Sequence, residues 1–472
     1  MAAAGSSLTQ QMDQLYEFER EPVTEDKLKP GRYFAGLFAG EHVAATEFVI
    51  GAFFVLHGVT MSDLLIGLLV GNLLAVLSWT FICAPIATRT RLTLYWYLRK
   101  IAGPGMTAIY NVANAVLYCV LAGAMISVSA TAIGLGVGVP LPEGAYPDSL
   151  GWIVITLAIG AVVTLLAIFG FEQLSRFSSV CSPWIFVAFI AGAVASFPAL
   201  GIRPDLSNLI TVLDTRVWNG IPDEGQMKYG VWHIAAFAWL ANLAMHVGLS
   251  DMALFRYAKN WKYGLYSFFG MYTGHFLAWI CSGIMVAAVA REMNPGLMAY
   301  EALGLAGAFA VLVAGWTTAN PTMYRVGLAL QVVTPNWPRW KVTLVAGTIT
   351  SVLSCFPLFF TELLAFVATY GLILMPVGAI VFAEHWILPR LGVEPFLAER
   401  RGWFISPAAA IVWGGTLALC FLLYRLGVHE FFLWIPGYLF ALALYSGLQV
   451  AFSRSARSQA HVQPASKEVS LP

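Results

Sequence analysis

A short polar interruption in an otherwise apolar run, AGWTTANPTMYRVGL from Ala314 to Leu328, contains side chains that could bind an ion. Thr317, Thr318 and Asn320 are followed by Pro321, where a membrane-spanning helix should hold only hydrocarbon. Polar and helix-breaking residues are tolerated at that depth only where protein or a water-filled cavity satisfies them. The two hydroxyls either bond back to carbonyls of the preceding turn or face a cation, which prefers hard oxygen ligands.

Two further apolar runs are interrupted by polar residues. GEHVAATEFVIG contains Glu41 and Glu47, and WLANLAMHVGLSD contains Asn242 and His246. Because a carboxylate within a membrane is costly, Glu47 is a functional candidate by default: it could help hold a cation, carry a proton or accept from a substrate N–H. We assign Glu41 and His246 to coupling or gating, although a buried histidine with a satisfied hydrogen bond is a sufficient structural explanation for His246.

Aromatic and amide side chains near these interruptions suit a flat ligand. Tyr118 and Trp239 could stack on a heterocyclic ring, while Asn114, Asn242 and Asn320 could read its edge. Packing alone also accounts for aromatic residues in membrane helices. We therefore predict a substrate site formed by Glu47, Asn114, Tyr118, Trp239, Asn242 and Asn320, beside a cation site that uses the hydroxyls of Thr317 and Thr318.

The composition requires a membrane protein. The 472 residues are 59% hydrophobic and 11% charged, with a mean hydropathy of +0.74, which lies far outside the range of ordinary soluble domains. The net charge of +1 gives no indication of a nucleic-acid partner. The sequence has no P-loop and no HExxH or similar metal motif, so we expect neither ATP-driven transport by this chain nor an enzyme.

Segments of about 20 apolar residues, the length that crosses a bilayer, predict an all-α protein with twelve membrane helices, at 33–57, 62–86, 106–136, 150–171, 177–200, 229–251, 264–290, 298–328, 342–359, 361–388, 404–425 and 430–452. Lysine and arginine accumulate in short cytoplasmic loops. Most of the 26 lysines and arginines fall in the two tails and in the loops that follow the even-numbered helices. The loops on the opposite side hold Arg203, Arg216, Lys228, Arg291 and Arg425. Both termini are therefore predicted to be cytoplasmic, in the inner or plasma membrane.

The interrupted segments also suggest an internal repeat. Glu47 and Asn242 are separated by nearly the same number of residues as Tyr118 and Thr317, as expected if a five-helix unit occurs twice. Because five is odd, the two units would be inverted, with the binding site between them. The predicted divisions are an N-tail (1–32), repeat 1 (33–200), an extracytoplasmic loop (201–228), repeat 2 (229–390), helices eleven and twelve (391–452) and a C-tail (453–472).

Several motifs, in order along the chain, resemble those of the nucleobase:cation symporter-1 family, in particular the bacterial cytosine permeases. The eighth segment has Trp316-Thr317-Thr318 followed by Tyr324 and Gly327-Leu328. The other matching positions are Gly71-Asn72-Leu73-Leu74, Thr90, Leu92, Thr93, Arg99, Arg256, Pro376, Gly378 and Glu384. The resemblance implies a five-plus-five inverted-repeat fold of the leucine-transporter type and alternating access. It also implies sodium bound between the hydroxyls of Thr317 and Thr318 and carbonyls of the first helix near Ala45 and Phe48.

The sequence departs from the family pattern at the substrate side. A tryptophan and a glutamine are common near the position of Tyr118, where this chain has Val120, Leu121 and Ala122. Glu47 has no evident counterpart, which leaves proton coupling open beside sodium coupling. We therefore expect a symporter for a nucleobase or related nitrogen heterocycle, with Na+ or H+ as coupling ion and no other cofactor.

Other functions remain open at this level. The alternatives are a passive channel, a ligand-sensing membrane protein, or a symporter for another small solute such as a vitamin precursor or an amino acid. The expected partners are a small-molecule substrate and membrane lipid, and the protein is a monomer or a homo-oligomer.

Overall fold

The apolar segments of the sequence form long helices. A computed structural model describes residues 12–13, 15–142, 144–289, 294–358 and 363–462, and within them the regular structure is helical, with no strand assigned. The junction predicted between the ninth and tenth segments, the end of the seventh segment and the second half of the C-tail fall outside the described residues. The all-α prediction is confirmed for the described residues.

The principal helices, numbered in chain order, are α1 (Gly31–His42), α2 (Glu47–Leu56), α3 (Met61–Thr90), α4 (Leu94–Gly136), α5 (Leu150–Ile168), α6 (Phe171–Leu200), α7 (Val231–Leu240), α8 (Leu243–His246), α9 (Met252–Phe255), α10 (Trp261–Ala288), α11 (Pro295–Leu303), α12 (Leu305–Val333), α13 (Arg339–Leu353), α14 (Phe366–Arg390), α15 (Pro407–Arg425) and α16 (Glu430–Arg454).

Eight helices in the described part of the chain are long and apolar enough to cross a membrane, and α1 with α2 makes a ninth when the bent pair counts as one span. This is a multi-pass membrane protein. The count of twelve spans stays a prediction, because α13 has only 15 residues and the polar residues within the 29-residue α12 lower its hydropathy.

Three predicted segments differ in detail from the observed helices. The third begins earlier, at Leu94, and is kinked at Gly103, where the backbone approaches the loop before α15: the N–H of Gly105 donates to the carbonyl of Phe404 at 2.8 Å. The eighth is divided at Gly304 into α11 and α12. The sixth is divided after Leu240. The kink at Gly103 and the division at Gly304 have no counterpart in the hydropathy pattern, whereas the division after Leu240 falls beside the polar residues that predict an interruption.

Close contact between α3 and α7 depends on a residue without a side chain. A Cβ atom added at Gly71 would lie 2.3 Å from the carbonyl oxygen of Ala235 and 2.7 Å from Cβ of Ala238. Backbone atoms cannot move away as a flexible side chain would, so the two helices would have to separate.

We therefore expect Gly71→Ala to destabilise the protein by about 1–3 kcal/mol, the usual cost of overpacking. The matched control is Gly414→Ala in α15, where an added Cβ meets no atom within 4 Å. This control should be neutral or stabilising by up to about 1 kcal/mol, because alanine favours a helix more than glycine does. Thermal unfolding of the purified variants in detergent measures both effects. Equal thermal midpoints for the two variants would contradict the prediction.

Candidate functional site

Two helix breaks define the centre of the molecule. Helices α1 and α2 meet at an angle of 51° across Val43–Thr46. Helices α7 and α8 are separated by Ala241 and Asn242, and Asn242 has a left-handed backbone with φ of 61°. Both breaks fall in the segments where polar residues predicted interruptions, so that prediction is confirmed. Helix ends at such breaks expose unpaired carbonyl and amide groups to ligands.

A buried cavity of about 60 Å³ lies between the two breaks. Helices α1, α2, α4, α7, α8, α10, α12 and α14 contribute to its wall. Its polar and aromatic lining consists of Glu41, Thr46, Glu47, Phe237, Asn242, His275, Trp279, Thr318 and Tyr370, and its aliphatic lining includes Ile50, Leu121, Met125, Leu240, Met245 and Val367. Polar groups therefore converge on an otherwise apolar space, as is usual for small-molecule sites.

Glu47 is the first residue of α2 and lines this cavity. The indole N–H of Trp279 donates to Oε2 of Glu47, and the hydroxyl of Thr46 donates to Oε1 at 3.4 Å. Nε2 of His275 lies 3.8 Å from Oε1, beyond hydrogen-bond distance. Among the described residues, no lysine or arginine forms an ion pair with Glu47.

Of the two threonines of α12, Thr318 contacts the end of α1 beside the break in the first helix, whereas the Thr317 hydroxyl bonds within α12. The hydroxyl of Thr317 donates to the carbonyl of Ala314 at 3.0 Å. The hydroxyl of Thr318 donates to the same carbonyl at 3.1 Å and to the carbonyl of Glu41 at 3.0 Å. The contact from α12 thus reaches the end of α1, earlier in the chain than Ala45 and Phe48. Oxygen atoms from two helices converge at this point, which is the donor set that a small hard cation requires.

A buried ion-pair network lies beside the threonines. The guanidinium of Arg325 donates to both carboxylate oxygens of Glu41, at 2.5 and 3.1 Å, and its Nε donates to Oδ1 of Asp251 at 3.1 Å. The indole N–H of Trp79 donates to the other oxygen of Asp251 at 2.6 Å. All three charged side chains are at most 1% exposed. Arg325 therefore connects α12 to both broken helices.

The remaining predicted residues lie around the cavity rather than on its wall. Ala45 is fully buried in the bend, and the ring of Phe48 stacks on Phe189 at 4.1 Å. The hydroxyl of Tyr118 lies 2.5 Å from Oγ of Ser250, and its ring contacts Tyr370, which lines the cavity. Tyr118 thus acts on the cavity wall through Tyr370.

Four other predicted side chains do not line this cavity. Trp239 donates to Ser78 at 2.9 Å and packs on Trp434. The amide of Asn114 lies 3.5 Å from the hydroxyl of Tyr95. Asn320 is 1% exposed, and neither of its amide atoms has a hydrogen-bond partner among the described residues. Nε2 of His246 lies 3.2 Å from the carbonyl of Ala241, at the break between α7 and α8.

Sequence reasoning did not select His275, Trp279, Arg325 or Asp251 as site residues. His275 and Trp279 lie one turn apart on α10, and their rings stack at 4.4 Å. The sequence signal for this pair is His275, a polar residue within the apolar run that forms α10. Arg325 lies near the end of the predicted eighth segment, so the sequence pattern counts it with the cytoplasmic loop that follows, whereas α12 extends to Val333.

Aromatic and histidine rings close the end of the molecule at which α2 ends. The ring of Tyr229 is stacked between His57, at 3.9 Å, and His233, at 5.1 Å. Its hydroxyl lies 3.3 Å from Nε2 of His429 in the loop before α16. Burial, with the neighbouring histidines, lowers the pKa of His429 to about 4, and burial also lowers the pKa of His57. Both rings are thus neutral in this closed arrangement at pH 7.

Acidification should therefore weaken this closure. A histidine with a lowered pKa contributes stability above its ordinary pKa of about 6.5, and that contribution is lost as pH falls toward the folded-state value of about 4. We expect the thermal midpoint of the wild type to decrease when the pH is lowered from 7.5 to 5. His429→Phe keeps an aromatic ring but cannot take up a proton, so its midpoint should fall less. An identical pH dependence in the two proteins would contradict this assignment.

The N-terminal segment closes the opposite end. Nη1 of Arg256 donates to the carbonyl of Phe18 at 2.6 Å, and the hydroxyl of Tyr324 donates to Oε2 of Glu17 at 2.8 Å. Nη2 of Arg20 donates to the carbonyl of Gln331 at 2.7 Å. The segment therefore ties the residue after α9 to the last part of α12.

No family model matches the sequence, and no curated protein matches it. Solved structures do match its fold. The transporter Mhp1 of the nucleobase-cation-symport-1 family, in a closed conformation with bromovinylhydantoin bound, superposes with a TM-score of 0.72 at 15% identity, over 94% of this chain and 96% of that one.

Two further solved structures share the fold. A Na+-coupled sialic acid symporter in a substrate-bound outward-open state has a TM-score of 0.66 at 11% identity, over 94% and 96% of the two chains. MhsT in complex with L-phenylalanine has a TM-score of 0.54 at 13% identity, over 91% and 99%. The chain therefore shares the fold of these three proteins, and the resemblance inferred from the sequence motifs is confirmed at the level of the fold.

Proposed function

We propose that this protein is a secondary active transporter that imports a nucleobase or a related nitrogen heterocycle together with a cation. The observation that carries the proposal is the cavity between the two helix breaks, where the Thr318 hydroxyl of α12 contacts the Glu41 carbonyl of α1. A cation held there would stabilise one arrangement of α1 against α12. A substrate in the adjacent cavity would favour the same arrangement. Binding of the cation would therefore raise the affinity for the substrate, and binding of the substrate would raise the affinity for the cation by the same factor.

The coupling cation in this proposal is Na+. Its ligands are the hydroxyls of Thr317 and Thr318 with the carbonyls of Glu41 and Ala314, which these hydroxyls already contact. The carbonyls of Ala45 and Phe48 lie within or next to the same bend and remain predicted ligands. The sodium coupling of the sialic acid symporter with the same fold supports this choice.

The proposed architecture has twelve spans, two inverted five-helix repeats and both termini in the cytoplasm. The paired breaks at Glu47 and Asn242 support the repeat, since interrupted helices in corresponding positions are typical of inverted-repeat transporters. The strong lysine and arginine bias supports the orientation. In this orientation the N-terminal segment closes the inner side and the Tyr229 cluster closes the outer side.

The heterocyclic substrate is supported by the lining of the cavity. Phe237, Trp279 and Tyr370 provide aromatic faces, while Glu47 and Asn242 provide polar groups for the edge of a ring. Mhp1, which has the same fold, binds a substituted hydantoin, a small nitrogen heterocycle. Asn114 and Asn320 do not line the cavity, so their amides would contact a substrate after the cavity wall rearranges around it.

Uptake into proteoliposomes tests the proposal. Labelled guanine, isocytosine, cytosine, uracil, adenine and bromovinylhydantoin are offered with an inward Na+ gradient, with an inward proton gradient and with neither. We expect at least one compound to accumulate above its equilibrium level only under a cation gradient. Uptake that depends on neither gradient would instead indicate a passive channel. Ligand binding without any uptake would indicate a ligand-sensing protein.

A further inference from the structure

We infer that the substrate presents two adjacent N–H donors, a ring N–H beside an exocyclic amino group, to the carboxylate of Glu47, as guanine and isocytosine do. This inference rests on the proposed function and specifies its substrate class. The geometry points to this class because Glu47 faces the cavity as a hydrogen-bond acceptor without a cationic partner among the described residues.

The hydrogen-bond capacity of the carboxylate leaves room for two donors. The donors from Trp279 and Thr46, together with two N–H groups of a ligand, would favour the ionised form of Glu47. An ionised carboxylate accepts at about four lone-pair positions, two on each oxygen. Trp279 occupies one position on Oε2, and Thr46 occupies one on Oε1 at 3.4 Å. Each oxygen therefore keeps one free acceptor position. A ring N–H and a neighbouring amino group are spaced to reach both oxygens at once, as in other bidentate carboxylate pairs.

The carboxylate is also held in a fixed orientation. The Trp279 indole that donates to it stacks on His275 at 4.4 Å and packs against Phe237 at 5.6 Å. Because these rings restrain Trp279, the carboxylate is oriented before the ligand arrives. Preorganised polar groups discriminate strongly between ligands, since an analogue that lacks one donor leaves a buried acceptor unpaired.

Apart from the proposed Na+, the cavity wall offers no free cation among the described residues, which disfavours anionic ligands. The second acid on its wall, Glu41, is paired with both nitrogens of the Arg325 fork, so Arg325 is not available to bind an anion. A ligand carboxylate would meet Glu47 with no compensating cation among the described lining residues. Ligands whose recognition depends on a free carboxylate are therefore disfavoured, and so are oxo-bases that place a carbonyl oxygen opposite Glu47.

Matched pairs of ligands test this inference. Isocytosine and uracil differ by an amino group in place of one oxygen, and guanine and hypoxanthine differ by one amino group. Thermal-shift titration and competition against labelled uptake should give at least tenfold tighter binding of the amino-bearing member of each pair, about 1.4 kcal/mol. Equal affinity for isocytosine and uracil would overturn the inference and leave the proposed transport intact. If no heterocycle is bound or taken up, the proposed function itself is wrong.

Variants of Glu47 give a second test. Glutamine presents one donor and one acceptor, so Glu47→Gln should reduce the preference for isocytosine over uracil to less than threefold. The control is Glu384→Gln, another buried acid, which accepts from the Tyr445 hydroxyl and the Phe396 N–H away from the cavity; it should keep the wild-type preference. If Glu47→Gln does not fold, Glu47→Asp retains the carboxylate and should retain the ranking. A wild-type ranking in Glu47→Gln would contradict the assignment.

Discussion

Replacing Arg325 by glutamine should abolish transport and lower the thermal midpoint by roughly 5–10 °C. The substitution leaves Glu41 and Asp251 buried beside each other without their common cation. Removing one partner from a buried pair costs about 3–5 kcal/mol, because the remaining charge is uncompensated. In a chain of this size, each kcal/mol corresponds to about 2 °C or slightly less. Dye-monitored unfolding and the liposome uptake assay measure the two effects.

Two controls separate charge from fold in this experiment. Arg203→Gln removes an exposed arginine in the loop after α6 and should change neither measurement. The triple variant Arg325→Met, Glu41→Gln, Asp251→Asn removes all three charges, so its stability should return toward the wild-type value. Its transport should remain absent if the network links α12 to the broken helices during the cycle. Full transport by the triple variant would show that the network serves stability alone.

The position of Arg325 shows what a sequence pattern can and cannot locate. Hydropathy identifies the helix, but the partners of Arg325 are 284 and 74 positions away in the chain, at Glu41 and Asp251. No local pattern encodes such a pairing. A charge near the end of an apolar segment is therefore attributed to a loop, and only the three-dimensional contacts reveal that it is buried.

The broken helices, in contrast, could be predicted because their cause is local. Glu47 and Asn242 interrupt apolar runs, and polar groups at membrane depth require an opening in the regular helix or a cavity beside it. The orientation of Trp239 could not be predicted in this way. Its helix, α7, is apolar on nearly all sides, so no periodicity indicates which face meets the cavity, and the indole is directed instead to Ser78.

Replacing Thr318 by valine should raise the Na+ concentration needed for half-maximal uptake by about tenfold or more. Valine has nearly the shape of threonine but lacks the hydroxyl that contacts the carbonyls of Glu41 and Ala314. Loss of one ligand to a charged group costs about 1.5–3 kcal/mol, which corresponds to roughly 10- to 150-fold in affinity. Thr318→Ser keeps the hydroxyl and should remain within about threefold of the wild type.

The matched control lies one turn away on the same helix. The hydroxyl of Thr322 is also buried, but it donates to the carbonyl of Thr318 within α12 at 2.8 Å. Thr322→Val therefore removes a hydroxyl from the same helix without removing a contact to α1, and the Na+ dependence of uptake should be unchanged. Equal losses in the two valine variants would mean that α12 needs the hydroxyls for its own backbone. A loss confined to Thr318→Val would assign this hydroxyl to the cation, because only its contact crosses between the helices that a bound ion would join.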